Sequence, residues 1–146
     1  MDLPHKSVVM VADSRKMLFL RNEGDAAFPN LVVEEAVEQE NPATRDQATD
    51  SAGRASSPQG AAQSSVEPTD FHQIEEDRFA ADAAELLKTR ALKNDFDSLV
   101  IVAPPKTLGE MRKHYHKEVQ SRLVGEIAKD LVNHSVADIE KIIADN

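Results

Sequence analysis

The chain has 146 residues, a formal net charge of −9 from 26 acidic and 17 basic side chains, and no cysteine. The lack of cysteine excludes a disulfide framework, a thiolate nucleophile and a cysteine-based zinc site, and the negative charge opposes binding to phosphate backbones except through a local basic patch. No segment approaches the roughly 20 apolar residues of a membrane-spanning helix, and no apolar signal-peptide core follows the first residues, so we expect a cytoplasmic protein with no membrane span.

Two short apolar runs near the amino terminus predict a β-hairpin. They occupy residues 8–12 and 17–21, and the polar residues 13–16 between them are typical of a turn. A second turn contains Gly24, which is suited to a positive φ angle, and residues 31–37 are a third strand candidate. Three consecutive strands predict an antiparallel meander at one side of a mixed sheet.

The segment 41–65 has a different composition from the rest of the chain. It contains no aromatic residue and no aliphatic residue larger than alanine. Ordering a residue costs about 1–2 kcal/mol for the backbone alone, and this segment has little apolar surface to bury in return. We therefore predict a mobile loop at 41–65 within a single domain that spans residues 1–146.

A helix is predicted after this loop and ends near Leu92. The apolar residues Ile74, Phe79, Ala83 and Leu86 recur at helical spacing. A strand is predicted at 96–103, where a continuous apolar run stops at two prolines, as is typical of strands that are buried on both faces. We expect its alternate side chains to be covered by opposite layers of the fold.

The remaining third of the chain predicts a short basic helix at 107–115 and a final helix after Ser135. Residues 120–132 are ambiguous, because their apolar spacing fits a helix whereas Gly125 disfavours one by about 1 kcal/mol relative to alanine. Together these elements predict one α/β domain with a mixed sheet of about five strands and flanking helices.

One stretch is locally basic, with five lysines and arginines against Glu110 and Glu118. The candidate nucleic-acid-binding residues in it are Lys106, Arg112, Lys113, Tyr115, Lys117 and Arg122. The cations would contact phosphates, and the tyrosine ring would stack on a base. The alternative is an ordinary amphipathic surface, which the acidic character of the whole chain favours.

Acidic side chains offer two further candidates. His72, Glu75 and Glu76 would share one face of the long helix and could hold a divalent metal, although acids in a first helical turn also complement the helix dipole. Asp13 follows a buried strand, where α/β sheets bind ligands, but it also fits a turn residue bonded to its own backbone. We favour the second interpretation in both cases, and the sequence assigns no metal, no cofactor and no catalytic residue.

Several blocks of sequence together resemble the bacterial host-attachment protein family. The blocks are VADSRKMLF at 11–19, VEPTDFHQIEEDRFA at 66–80, LVIVAPPKTLG at 99–109 and GEIAKDL at 125–131. That family is related to the middle domain of archaeo-eukaryotic peptide-release factors. The resemblance therefore implies a ribonuclease H-like fold and a strand, not a helix, at 125–130.

The same resemblance draws attention to two residues of the predicted loop. In release factors the loop in this position carries Gly-Gly-Gln, which acts at the peptidyl-transfer centre. This chain has Gln-Gly-Ala-Ala-Gln at 59–63, so Gly60 and Gln63 are the candidate loop residues. Because the paired glycines are missing, the resemblance transfers no catalytic residue.

Two classes of function follow from the resemblance. The first is a non-enzymatic host-attachment factor that acts through a protein partner, indirectly and from the cytoplasm. The alternative is a ribosome- or tRNA-associated factor of the release-factor-like superfamily that uses the loop and the basic stretch. Co-sedimentation with ribosomes would favour the alternative, and attachment that survives deletion of the loop would favour the first class.

Overall fold

A computed structural model describes residues 1–39 and 68–146, so the predicted loop at 41–65 lies outside the described residues. These ranges contain five strands and four helices. The strands are β1 (Val8–Ala12), β2 (Lys16–Asn22), β3 (Leu31–Glu38), β4 (Leu99–Ala103) and β5 (Leu123–Ala128), and the helices are α1 (Pro68–Leu92), α2 (Pro105–Arg112), α3 (Lys117–Arg122) and α4 (Val136–Ala144).

The five strands form one mixed sheet in the order β3-β2-β1-β4-β5. β1 pairs with β2, and β2 with β3, in antiparallel orientation. On its other side β1 pairs in parallel with β4, which in turn pairs in parallel with β5. The predicted α/β class with a mixed five-stranded sheet and flanking helices is confirmed, as is the antiparallel meander of the first three strands.

β4 is the central strand of the parallel half, and every one of its five residues is buried. Leu99 and Ile101 belong to one hydrophobic cluster, and Val100 and Val102 belong to a second cluster on the opposite face. The alternation follows from the two-residue period of a strand. Because both faces of β4 are covered by other parts of the fold, its sequence is apolar at every position.

The helices cover both faces of the sheet. α1, α2 and α3 contribute to the first cluster through Phe79, Leu87, Leu108, Met111 and Val119. α4 contributes Ile139 and Ile143 to the second cluster. The final helix begins as predicted, because the Ser135 hydroxyl accepts the backbone N–H of Asp138 at 3.1 Å.

The turn between β1 and β2 is built on Asp13. Its carboxylate Oδ1 accepts the backbone N–H of Arg15 at 2.8 Å and that of Lys16 at 2.7 Å. This is the self-bonded turn residue that the sequence favoured over a catalytic base.

The turn that follows β2 corrects one prediction. No described glycine has a positive φ angle, so Gly24 is not needed there for its backbone conformation. It is needed for space, because a Cβ atom at this position would lie 2.1 Å from the carbonyl oxygen of Phe28. The close approach of the chain after β2, and not the sign of φ, requires the glycine.

Three element boundaries differ from the predictions. The strand predicted at 96–103 begins only at Leu99. The basic helix predicted at 107–115 instead spans Pro105–Arg112, because proline is well tolerated at the first helical position. The ambiguous region contains the short helix α3 and then β5. A strand is therefore present as the family resemblance implied, but it spans Leu123–Ala128, two residues earlier at each end than the predicted 125–130.

Asn22, at the end of β2, is fully buried and uses both ends of its amide. Its Oδ1 accepts the backbone N–H groups of Gly24 at 2.9 Å and Asn30 at 2.8 Å. Its Nδ2 donates to the carbonyl of Leu3 at 2.8 Å and to that of Asp25 at 3.3 Å. One side chain thus joins the amino-terminal segment to the connection between β2 and β3.

A network of two arginines and three acids joins β2, β3, α1 and the segment before β4. Arg21, whose side chain is only 10% exposed, bonds Glu34 at 2.7 Å and Asp95 at 2.9 Å. Arg90 contacts the same two acids and also bonds Glu35 at 2.8 Å. The hydrogen bond from Arg21 lowers the pKa of Glu34 in the folded protein. The stabilisation that this interaction gives the folded state is therefore present above the unfolded-state pKa of Glu34 and is lost as the pH falls through its lower folded-state pKa.

Candidate nucleic-acid interface

The structure does not bring the six predicted binding residues together in one patch. Lys106 lies in the first turn of α2, just beyond the carboxyl end of β4, and its ammonium group contacts the side chain of Gln73. Arg122 ends α3 and donates at 2.8 Å to the side chain of Asn94, which precedes β4. The two ends of the predicted stretch therefore lie toward opposite ends of the parallel strands.

Three of the predicted cations are paired with acids. Arg112 bonds Glu126 of β5 at 2.8 Å, and Lys113 bonds Glu110 at 2.9 Å. Arg122 bonds Glu118 at 3.0 Å. Each pair offsets a positive charge that would otherwise be available to a phosphate. Of the remaining two cations, Lys106 contacts a neutral amide and Lys117 forms no ion pair with the described part of the chain.

Tyr115 is half-buried between α2 and α3. Its ring packs against the hydrophobic cluster on the α1 face of the sheet, and its hydroxyl donates to the Glu126 carboxylate at 2.9 Å. Burial raises the pKa of the Tyr115 phenol far above its ordinary value, and the nearby negative charge of Glu126 adds to the increase. Glu126 thus bonds both Arg112 and Tyr115, and these two bonds attach the segment between α2 and α3 to β5.

We expect Tyr115 to remain protonated in the native protein at pH values where free tyrosine ionises. It is the single tyrosine of a chain without tryptophan, so tyrosinate absorbance near 295 nm reports on it alone. Above a pH of about 10 the unfolded chain loses this proton while the folded chain keeps it, so stability should decline as the pH rises further. Glu126→Gln should lower the pH midpoint at which Tyr115 ionises in the native protein. A wild-type midpoint equal to that of the chain unfolded in guanidinium would contradict the burial of Tyr115.

The carboxyl ends of the parallel strands gather cations that sequence reasoning did not connect. β1, β4 and β5 end side by side, since Val11 pairs with Val102 and Ala103 pairs with Ala128. The chain leaves β5 into Lys129. We define the carboxyl-edge cations as Arg15, Lys16, Lys106 and Lys129, and none of them forms an ion pair with a carboxylate in the described ranges. The acids nearest in sequence are Asp13 and Asp130.

This edge holds the carboxyl ends of the three parallel strands. β1 continues into β2 through an antiparallel hairpin, and β4 continues into β5 through α2 and α3. In open α/β sheets, ligands bind outside the carboxyl ends of the strands. If this rule is applied to the Lys and Arg residues that follow each predicted strand, it indicates the carboxyl-edge cations from sequence.

The other predicted candidates are the metal-binding group on α1 and the two loop residues. Glu75 accepts from Gln39 at 3.1 Å and pairs with Arg78 at 3.4 Å. Within residues 1–39 and 68–146, no group of three or more His, Asp or Glu side chains is arranged to hold a metal ion. The loop candidates Gly60 and Gln63 lie outside the described residues. Among the described helices, none combines the length and the apolar content of a membrane span.

Comparison with protein families identifies the class to which this sheet and its helices belong. The model of bacterial archaeo-eukaryotic release factor family 12 matches residues 6–143. The chain belongs to this family. The predicted relation to release factors is therefore confirmed at the level of the family, whereas the host-attachment role stays a prediction.

The other comparisons are more distant. A search of curated proteins finds no match. Among solved structures, the archaeal translation termination factor aRF1 is similar to this chain with 10% sequence identity and a TM-score of 0.47. The similarity covers 95% of this chain and 39% of that factor, so the chain spans about two fifths of its length.

Proposed function

We propose that the protein is a ribosome- or tRNA-associated factor of the release-factor-like superfamily. The observation that carries the proposal is membership of a release-factor family over residues 6–143. The carboxyl-edge cations are the part of the described surface best suited to contact RNA phosphates, because none of them forms an ion pair with a described carboxylate. We assign no catalytic residue.

The net charge of −9 is the main argument against RNA binding. At physiological ionic strength, however, charges separated by more than about 8 Å are largely screened from one another. Contact with a phosphate then depends on the charges next to it and less on the total. The carboxyl-edge cations meet this condition better than the basic stretch, where Glu110, Glu118 and Glu126 lie within ion-pair distance of three of the cations.

We expect the wild-type protein to co-sediment with purified bacterial ribosomes at about 50 mM salt and to dissociate as the salt rises toward 200 mM, because each phosphate contact releases counterions. Lys106→Glu combined with Lys129→Glu should weaken this binding about tenfold or more. Both side chains are exposed, so the fold should be retained. The measurement is the fraction pelleted through a sucrose cushion as a function of salt.

The matched control reverses two charges elsewhere. Lys88→Glu with Lys141→Glu makes the same change in net charge on α1 and α4 and should leave co-sedimentation within about twofold of wild type. Equal losses in both double variants would show that total charge and not the carboxyl edge controls binding. No pelleting of wild type at low salt would refute the proposal.

The host-attachment role remains the other candidate from the sequence. It involves a protein partner reached from the cytoplasm, and the exposed valines of β3 favour a protein contact, since Val32 is 43% and Val33 is 44% exposed. Deletion of the gene should abolish attachment to host cells if this role is correct. Restoration of attachment by the Lys106→Glu, Lys129→Glu variant would then favour this role over RNA binding.

A further inference from the structure

β3 is an edge strand whose outer side pairs with no other described strand, and only its first residue, Leu31, has its backbone N–H bonded by Glu140 of α4 at 2.6 Å. It pairs with β2 on one side and with no other described strand. Its sequence contains three glutamates but neither proline nor lysine, two of the residues that commonly protect sheet edges. A bulge places Glu34 between the pairs Phe19–Glu35 and Leu20–Val33, but the last four residues of β3 pair regularly. A free, regular strand edge offers backbone N–H and C=O groups to an added strand.

An apolar groove runs beside this edge, between β3 and α1. We call it the α1–β3 groove. Its floor is formed by Met17 and Val37, which pair across β2 and β3, and by Phe79 and Leu86 of α1. It has a volume of about 440 Å³ and opens to solvent. Val37 and Leu86 are only half-buried, so apolar surface on both sides of the groove remains accessible.

The charged residues that line the groove are both acidic. Asp82 and Glu85 project from α1 and are exposed, and Gln39 completes the rim. Asp82 forms no ion pair in the described structure. Glu85 contacts Lys88 at 3.4 Å but remains 65% exposed. A ligand that enters this groove meets an apolar floor and a negative rim.

We propose that the α1–β3 groove and the free edge of β3 bind an extended peptide of another protein, in which apolar residues share one face of the strand with lysine or arginine. The peptide adds a strand to β3 through its backbone. Its side chains point alternately to the two faces of the sheet, so one set enters the groove. Basic residues two positions before or after an apolar one lie on the same face of the peptide strand, near Asp82 and Glu85. The inference does not depend on the proposed function.

A second copy of this chain fits the surface less well. Antiparallel pairing of β3 with β3 would bring the two acidic rims and the Glu38 side chains together with no added cation, because β3 contains no lysine or arginine and Arg21 and Arg90 are already paired with Glu34 and Glu35. Like charges on directly opposed strands are destabilising. A basic partner removes that repulsion.

A displayed library of random decapeptides, selected on the whole protein, tests the proposal. We expect the enriched sequences to carry apolar and basic residues two positions apart, so that both lie on one face of the strand. Synthetic copies of an enriched peptide should bind at least about tenfold more weakly to Leu86→Lys, and likewise to Asp82→Lys combined with Glu85→Lys. The matched control, Asp130→Lys with Asp145→Lys, reverses two exposed acids outside the groove and should bind within about twofold of wild type.

A backbone-modified peptide separates strand addition from simple burial of apolar side chains. Methylation of alternate peptide nitrogens removes N–H donors without altering any side chain, and it should abolish binding. The proposal would be overturned if binding survived this methylation or if the library yielded no binder. It would also be overturned if the enriched peptides bound the groove variants as tightly as they bind the wild type. Dimerisation of the protein alone that Leu86→Lys abolishes would assign the surface to a second copy and would overturn it as well.

Discussion

Replacing Asn22 by alanine is expected to destabilise the protein by about 3 kcal/mol or more. The change removes a buried amide that satisfies the N–H groups of Gly24 and Asn30 and the carbonyl of Leu3. Each buried polar group that is left unpaired costs roughly 1–3 kcal/mol. The free energy of unfolding should be measured by urea denaturation, followed by far-UV circular dichroism.

Two further variants make the test of Asn22 specific. Asn30→Ala removes an exposed amide in the same loop and should change stability by less than about 0.5 kcal/mol. Asn22→Asp keeps the acceptor but sets a carboxylate against two carbonyls, so it should be destabilised at neutral pH and partly rescued in acid. A loss under about 1 kcal/mol for Asn22→Ala would show that water replaces the amide.

Ile101→Ala is expected to cost about 2–5 kcal/mol, because it leaves a cavity at the centre of the sheet. Ile101 is fully buried in β4 and lies in the cluster between the sheet and the helices α1 to α3. The same denaturation measurement applies. Ile101→Val removes a single methylene and should cost only about 0.5–1.5 kcal/mol.

The control for the core is an apolar residue at the edge of the sheet. Val124 of β5 is 50% exposed, so Val124→Ala should change stability far less than Ile101→Ala. Equal effects of the two substitutions would contradict the central position of β4. A melting temperature of Ile101→Ala within a degree of wild type would contradict it too.

The parts of the fold that could be predicted from sequence are those with local signals. β1 and β4 are apolar runs with clear stops, the turn at Asp13 has a side chain that bonds its own backbone, and Ser135 is a typical helix cap. β5 has no such signal. It is a short edge strand in which one residue, Ile127, is buried, so its apolar period is weak and only the family resemblance indicated a strand.

The predicted basic stretch shows why the candidate site was harder to predict. Charge along the sequence is a local count, whereas the pairing of Arg112 and Tyr115 with Glu126 joins residues 14 and 11 positions apart. Glu126 meets them only because β5 returns beside β4. In the same way, the carboxyl-edge cations are drawn from three separate segments and reach one edge of the sheet through strand order alone.

The pairing of β1 with β4 has a consequence for synthesis of the chain. β1 is complete at Ala12, but the strand that fills its second edge ends at Ala103. At roughly 5–20 residues per second, translation of the intervening segment takes roughly 5–18 s. During this interval β1 can pair with β2, yet its other edge is a bare apolar template of the kind that promotes aggregation. The nascent amino-terminal meander therefore keeps an unpaired apolar strand edge until β4 has been synthesised.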